Sequence, residues 1–279
     1  MQVFIGSEAL ATGLLSPYEL RRHHTRVLPD VYVPKRAQLL LRDRIEAAWL
    51  WSRRQGVISG LAAAALHGTK WVDDDVPIEL NYPNCKPPTG VITRLDTVDD
   101  SETATVAGMR VTNPARTAFD LARRDSVEEA IARLDALTRA TDVKPAEVLE
   151  LADRHRHVRE ICRLPKVLDL VDAGAASPKE TWLRLLLVEE GFPRPQTQIP
   201  LLSASGRPRY YLDMGWSEIK VAVEYDGEQH RVDRYQFKKD IERLEYIQGL
   251  GWIHIRVVAG DHRADIIRRV RRAWQLRQR

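Results

Sequence analysis

The chain predicts an α+β to α/β protein built in four consecutive parts. Three observations carry that expectation. Apolar residues recur at spacings of three and four, as at Ile131, Leu134 and Leu137, which is a helical period. Short β-branched runs such as Val76–Leu80 and Val91–Leu95 read as strands. Turn residues punctuate the two kinds of run, notably Gly13, Pro29-Asp30, Asn113-Pro114 and Gly174-Ala175-Ala176-Ser177-Pro178. At 279 residues the chain is long enough for two hydrophobic cores. The parts expected are a helix–ribbon region over 1–58, a mixed region over 59–125, a helical connector over 126–176 and an αβ core over 177–279.

The first part opens with two short helices, Ser7–Ala11 and Ser16–His24, separated by Gly13. Ser16-Pro17 supplies a start signal, with proline at the first helical position. Two strand-like runs, Thr25–Leu28 and Asp30–Val33, meet at Pro29-Asp30. Helix, turn, helix and ribbon is the order of a winged helix-turn-helix, so this region is expected to be winged-helix-like. Arg21 and Arg22 lie on the second helix and Arg26 on the ribbon. Such donors meet phosphates and base edges in a DNA reader. The plain alternative is a solvated helix face.

The net charge is +4 and the isoelectric point about 9.1, a mildly basic balance compatible with nucleic acid. Cys85 and Cys162 lie far apart and form neither a metal-ligand spacing nor a disulfide framework, which fits a reducing cytosol. No run approaches the roughly 20 apolar residues that span a bilayer, and the first residues lack a signal pattern. A soluble, cytoplasmic protein with no membrane partner is expected.

The second part continues with helices at Leu39–Gln55 and Ser59–His67, then the two strands, then a strand turning into a helix at Asn113-Pro114. It carries Ser59, Ala63 and His67-Gly68 on one helix, and Val111-Thr112-Asn113-Pro114-Ala115-Arg116-Thr117 followed by Asp120-Leu121-Ala122. In these motifs residues 1–125 resemble the AbiEi-type antitoxin and regulator family. The resemblance implies a winged helix ahead of a mixed domain, with DNA and a toxin as partners. The family's ribbon usually reads Arg-Gly-Val-Tyr, and this chain has Leu28-Pro29-Asp30-Val31-Tyr32 instead. The connector predicts helices over Ser126–Ala140, Pro145–His155 and Val158–Ala173.

The last part predicts a helix from Ser177-Pro178 to Glu190, a strand through Tyr210–Met214, a second strand over Glu218–Tyr225, a helix over Arg234–Leu250, a strand over Trp252–Val258 and a final arginine-rich helix. Strict alternation places Tyr210, Leu212 and Met214 on one face, with Tyr211 and Asp213 on the other. It likewise sets Glu224 and Asp226 apart from Val221, Val223 and Tyr225. Pairing the two strands would bring Asp213 near Glu224. Carboxylates beside buried strands are costly unless paired, and a divalent cation is one natural partner.

Ser177-Pro178-Lys179-Glu180, Asp213, Glu224-Tyr225-Asp226-Gly227-Glu228-Gln229-His230, Asp240-Ile241-Glu242-Arg243 and Gly251-Trp252 follow one another in the order of a known pattern. Together they resemble the very-short-patch-repair endonuclease-like branch of the PD-(D/E)XK superfamily, which implies a restriction-endonuclease-like αβ core. The resemblance implies Mg²⁺ (or Mn²⁺) held by Asp213 and Glu224 with the Tyr225 carbonyl as a third ligand. Glu180 would hold a metal-bound water and His230 would shuttle a proton. Asp226 stands where the superfamily usually has lysine, so His230 or a second cation takes that role, or the site is inactive. Each residue has a plainer reading too. Ser177 and Glu180 have capping-box spacing, Asp226-Gly227 is a common turn pair, and Asp240 and Arg243 can pair along one helix. Arg243, Arg268 and Arg272 are candidates for following a nucleic-acid backbone.

The function expected from these readings is a metal-dependent DNA endonuclease with an N-terminal DNA-binding module. The alternative is a non-catalytic DNA-binding transcriptional regulator or antitoxin-like protein with a degenerate nuclease fold. RNA is left open as a substrate, and a homodimer is compatible with either.

Overall fold

A computed structural model describes residues 3–227 and 234–278. The chain divides into two units, Met1–Ala130 with Leu137–Asp169, and Ile131–Ala136 with Leu170–Arg279.

The first unit begins with β1 (Phe4–Ile5), α1 (Gly6–Ala11), α2 (Pro17–His23), β2 (His24–Leu28) and β3 (Val31–Pro34). The strands form an antiparallel sheet in the order β1-β3-β2. α2 starts where the sequence predicts because its first turn is fully capped. The Ser16 hydroxyl accepts from the Glu19 N–H at 3.2 Å, and the Glu19 carboxylate accepts from the Ser16 N–H at 2.8 Å. β3 starts one residue later than expected, because Asp30 takes the left-handed turn conformation (φ 61°) and its carboxylate accepts from the Ser7 N–H at 2.9 Å.

α3 (Leu41–Trp51) follows and is shorter than its apolar run. Arg53 and Arg54 both have positive φ and end it. Then come β4 (Val57–Ser59), α4 (Gly60–Leu66), β5 (Ile78–Asn81), β6 (Val91–Arg94), β7 (Thr103–Val106) and β8 (Met109–Thr112). They build a five-stranded mixed sheet in the order β6-β5-β4-β8-β7 around Ile58, Leu80 and Val111, all fully buried. α5 (Pro114–Arg124) leaves β8 at Asn113, whose side chain accepts from the Arg116 N–H at 2.8 Å. α6 (Val127–Thr141), α7 (Pro145–Arg154) and α8 (Leu164–Asp169) complete the connector. The third helix expected there is reduced to α8 and a preceding 3₁₀ turn over Ile161–Arg163. Pro165 sits near its start, the place where a missing N–H costs least.

In the second unit, α9 (Pro178–Glu189) precedes β9 (Gln196–Leu202), β10 (Pro208–Trp216), β11 (Val221–Asp226), α10 (Arg234–Gly249), β12 (Ile253–Val258) and α11 (Arg263–Arg277). The sheet runs β12-β11-β10-β9, with β11 and β12 parallel and the other pairs antiparallel. One core cluster joins Val221 and Val223 to Leu183 and Leu187 of α9 and to Ile266 and Val270 of α11. The other joins Ala222 and Leu212 to Ile247 of α10. The helix–strands–helix–strand order is the one predicted, with β9 added at the edge, where its Pro200 is tolerated.

The middle of α6 belongs to this unit. Asp135 accepts from Arg184 Nη2 at 2.8 Å, from the Thr181 hydroxyl at 2.8 Å and from the Asp172 N–H at 2.7 Å. Burial still pushes the Asp135 carboxyl above its ordinary range, against the pull of Arg184.

The expected alternation along β10 slips at one residue. Leu212 packs with Ile199, Ala222 and Ile247, whereas Met214 and Trp216 pack with Val221 and Val223. Residues two apart thus face opposite sides, and the break falls on Asp213. Across from it, Gln198 of β9 has a φ of 50°, the kind of local irregularity that re-aims a side chain. Among the described residues no helix is long and apolar enough to cross a membrane.

Candidate nucleic-acid interface and carboxylate cluster

The pairing of β2 with β3 sets His24 beside Pro34. The Lys35 N–H donates to the His23 carbonyl at 2.9 Å. The last turn of α2 therefore faces the chain leaving the ribbon. Between them lies an open cleft of about 810 Å³ lined by Tyr18, Arg21, Arg22, His23, Pro34, Lys35 and Arg36. Arg21, Arg22, Lys35 and Arg36 are exposed, and among the described residues no ion pair engages them. The Arg22 guanidinium lies 5.7 Å from the centre of the Tyr18 ring. Unneutralised cations around a concavity attract polyanions. Arg21 and Arg22 were singled out from sequence; Lys35, Arg36 and Tyr18 were not. The signal that could have found them is the basic pair directly after the ribbon. Arg26 is exposed on β2 opposite Tyr32, outside the cleft lining.

The basic last helix behaves differently. Arg263 pairs with Glu189, Arg268 with Asp265, Arg269 with Asp261 and Arg271 with Glu190. Much of its positive charge is matched within the molecule, while Arg272 is exposed.

Strand pairing sets Asp213 and Glu224 side by side. β10 and β11 pair in the register Met214–Val223. The next residues outward are Asp213 and Glu224, and the Asp213 N–H donates to Glu224 Oε1 at 3.3 Å. Glu224 is 6 % exposed, and its oxygens are engaged further. Arg243 of α10 donates to Oε2 at 2.8 Å and to Oε1 at 2.6 Å, a bidentate pair. His254 Nε2 of β12 lies 2.6 Å from Oε2. Burial acts to raise the Glu224 carboxyl, but the hydrogen bonds and charges of His254 and Arg243 outweigh it and hold it at about 2. Asp213 is driven the other way. Burial first, then the negative charges of Glu224 and Glu180, push it up to about 7 against Arg243 and a hydrogen bond from the Tyr225 N–H.

Glu180 is buried and capped into its own helix. It accepts from the Ala176 N–H at 2.8 Å and the Ser177 hydroxyl at 2.9 Å, and its own N–H donates to Ser177 at 3.2 Å. Asp226 pairs with Arg256. Arg243, expected on a nucleic-acid surface, is bound to Glu224 and to the Tyr211 carbonyl at 2.9 Å. His230 lies outside the described residues. Sequence reasoning missed His254, which reaches Glu224 only through the parallel register of β12, 30 residues on. Among the described residues no group of three or more His, Cys, Asp or Glu side chains is placed to hold a metal ion.

The motif from Val111 to Ala122 folds into a buried ionic network. Arg116 is 1 % exposed and donates to Glu102, to Asp120 at 3.2 Å and to the Thr97 carbonyl at 2.7 Å. Asp120 also meets Arg123 at 3.0 Å, and His155 Nε2 lies 2.7 Å from Glu102. These residues hold α5 to its neighbours and are closed to a ligand.

The chain has relatives among known proteins. Two uncharacterized proteins of Mycobacterium tuberculosis, MT2308 and Rv2248, are each 29 % identical to it over 160 residues, which is 57 % of this chain and 59 % of theirs. The match thus spans less than two thirds of those relatives. No solved structure matches. A family model does match over residues 56–170, from the approach to β4 through α8 and short of the carboxylate cluster, and by it this segment is similar to the AbiEi antitoxin C-terminal domain.

Proposed function

We propose that this protein is a non-catalytic DNA-binding regulator of the antitoxin type. The observation that carries the reading is the cleft beside α2 and the ribbon, where four exposed cations have no acidic partner among the described residues. Phosphate contacts of that kind supply sequence-independent affinity and set register on a duplex. The similarity of residues 56–170 to an antitoxin domain supports the regulatory role and a toxin as protein partner.

Metal-dependent phosphodiester hydrolysis is the second reading, and one observation favours it. Asp213 sits beside two further carboxylates in surroundings that a cation would relieve. The donor set does not fit that cation as arranged. Mg²⁺ needs oxygen lone pairs, and those of Glu224 go to Arg243, His254 and the Asp213 N–H.

Supercoiled plasmid and a linear duplex incubated with the protein separate the two readings. The regulator reading predicts retardation of the duplex, with the plasmid intact in Mg²⁺ or Mn²⁺. Nicking that disappears in Asp213→Ala would overturn it. Preferential retardation of single-stranded RNA would move the partner from DNA to RNA.

A further inference from the structure

A second, smaller cavity of about 110 Å³ lies in the first unit, away from the basic cleft. Val27 and Leu28 of β2 form one wall. Ala47 of α3, Ile78 of β5 and Val91 of β6 form its floor, and all three are buried. Thr89 and Gly90 are exposed and make the rim. Six of the nine lining residues are aliphatic, and the cavity is partly open, so a guest's apolar body can lie against them while its polar end reaches the rim.

One charged group lines the cavity, Arg44 of α3, which is half-buried. Its guanidinium adjoins the rim, since a Cβ placed on Gly90 would lie 3.9 Å from Arg44 Nη2. Arg44 donates to two main-chain carbonyls, those of Asp74 and, at 3.4 Å, Asp75, whose side chains are exposed. Among the described residues no carboxylate pairs with it. A guanidinium has five N–H donors in a planar fork suited to a carboxylate, and two carbonyls leave part of that fork unused. A positive charge at the mouth of a partly open, mainly aliphatic space matches a molecule with an anionic head and a compact apolar body.

We propose that this cavity binds a small organic monocarboxylate of about the size of benzoate, its ring or branched alkyl group against Ala47, Ile78 and Val91 and its carboxylate on Arg44. The site needs no nucleic acid, so it stands or falls separately from DNA binding. Because β2 belongs to the ribbon and β5 and β6 to the mixed sheet, a bound molecule would bridge two sheets of the same unit.

The test is calorimetric titration and thermal unfolding of the full chain with benzoate, with benzamide as the uncharged isostere and acetate as the head group alone. Benzoate is expected to bind saturably and raise the unfolding midpoint, benzamide to bind at least tenfold more weakly, and acetate to show no saturation. Arg44→Met should abolish the preference for benzoate over benzamide. Thr89→Trp, placed on the exposed rim where it leaves the core untouched, should weaken both by tenfold or more. Absence of saturable benzoate binding would overturn the proposal, as would benzoate binding unchanged in Arg44→Met or in a folded Thr89→Trp protein.

Discussion

Replacing Arg116 by methionine is expected to cost the first unit about 3–5 kcal/mol, the range for stranding a buried charge by removing its partner. Glu102 and Asp120 are both fully buried, and Arg116 is the residue that touches both. Burial alone would lift the Glu102 carboxyl. The hydrogen bonds from His155 and Arg116 outweigh that and hold it below its ordinary range. Without Arg116, Asp120 keeps Arg123 and Arg124, but Glu102 keeps only the His155 imidazole as a side-chain partner among the described residues. Arg116→Lys is expected to recover little, because one ammonium cannot reach Glu102, Asp120 and the Thr97 carbonyl together. Urea unfolding at neutral pH measures the loss through the transition midpoint. A shift worth less than about 1 kcal/mol would mean that the network is not what anchors α5.

Asp213→Asn is expected to act in the opposite direction and only above a certain pH. Asp213 titrates near 7 in the folded chain, against an ordinary value of 3.8. Between those values the folded protein holds a proton that the unfolded chain has released, so stability falls as pH rises from about 4 to about 7. The gap corresponds to about 4 kcal/mol at its upper limit. Asparagine removes the penalty. The variant should therefore be more stable than wild type at pH 8, by up to that amount, and should converge with it near pH 4. Glu224 supplies the opposite dependence. Its carboxyl is held at about 2 against an ordinary 4.5, so its contribution is present above about 4.5 and is lost as pH falls toward 2. Thermal unfolding from pH 2 to pH 8 measures both. A wild-type curve that gains stability from pH 5 to pH 8 in parallel with Asp213→Asn would contradict the placement of Asp213.

Much of this architecture was legible because local signals were strong. Ser16-Pro17 with Glu19, and Asn113-Pro114 ahead of Arg116, fix helix starts through hydrogen bonds between near neighbours. The strands that escaped notice lack such signals. β4 is only Val-Ile-Ser, β7 reads Thr-Ala-Thr-Val, and β9 contains a proline. Each exists because a partner strand fixes it, which is tertiary rather than local information. The carboxylate pair illustrates the same limit. That Asp213 meets Glu224 follows from antiparallel pairing of two legible strands. That Glu224 is also bound by Arg243 and His254 depends on how α10 and β12 return to the sheet. Those two contacts occupy Glu224 oxygens that the strand pairing alone would leave open. The basic cleft was half legible. Arg21 and Arg22 lie on a predicted helix, whereas Lys35 and Arg36 join them only because β3 folds back along β2.

The central claim, that the cleft beside α2 carries DNA affinity, is tested most directly by fluorescence anisotropy of a labelled duplex across a salt series. Wild type should lose affinity with rising salt at a log–log slope of about −0.9 for each phosphate neutralised, or roughly −3 to −4 if all four cations engage. The variant carrying Arg21→Gln, Arg22→Gln, Lys35→Gln and Arg36→Gln should fold as wild type does, bind far more weakly and show a slope near zero. A variant that binds with the affinity and salt slope of wild type would contradict the account.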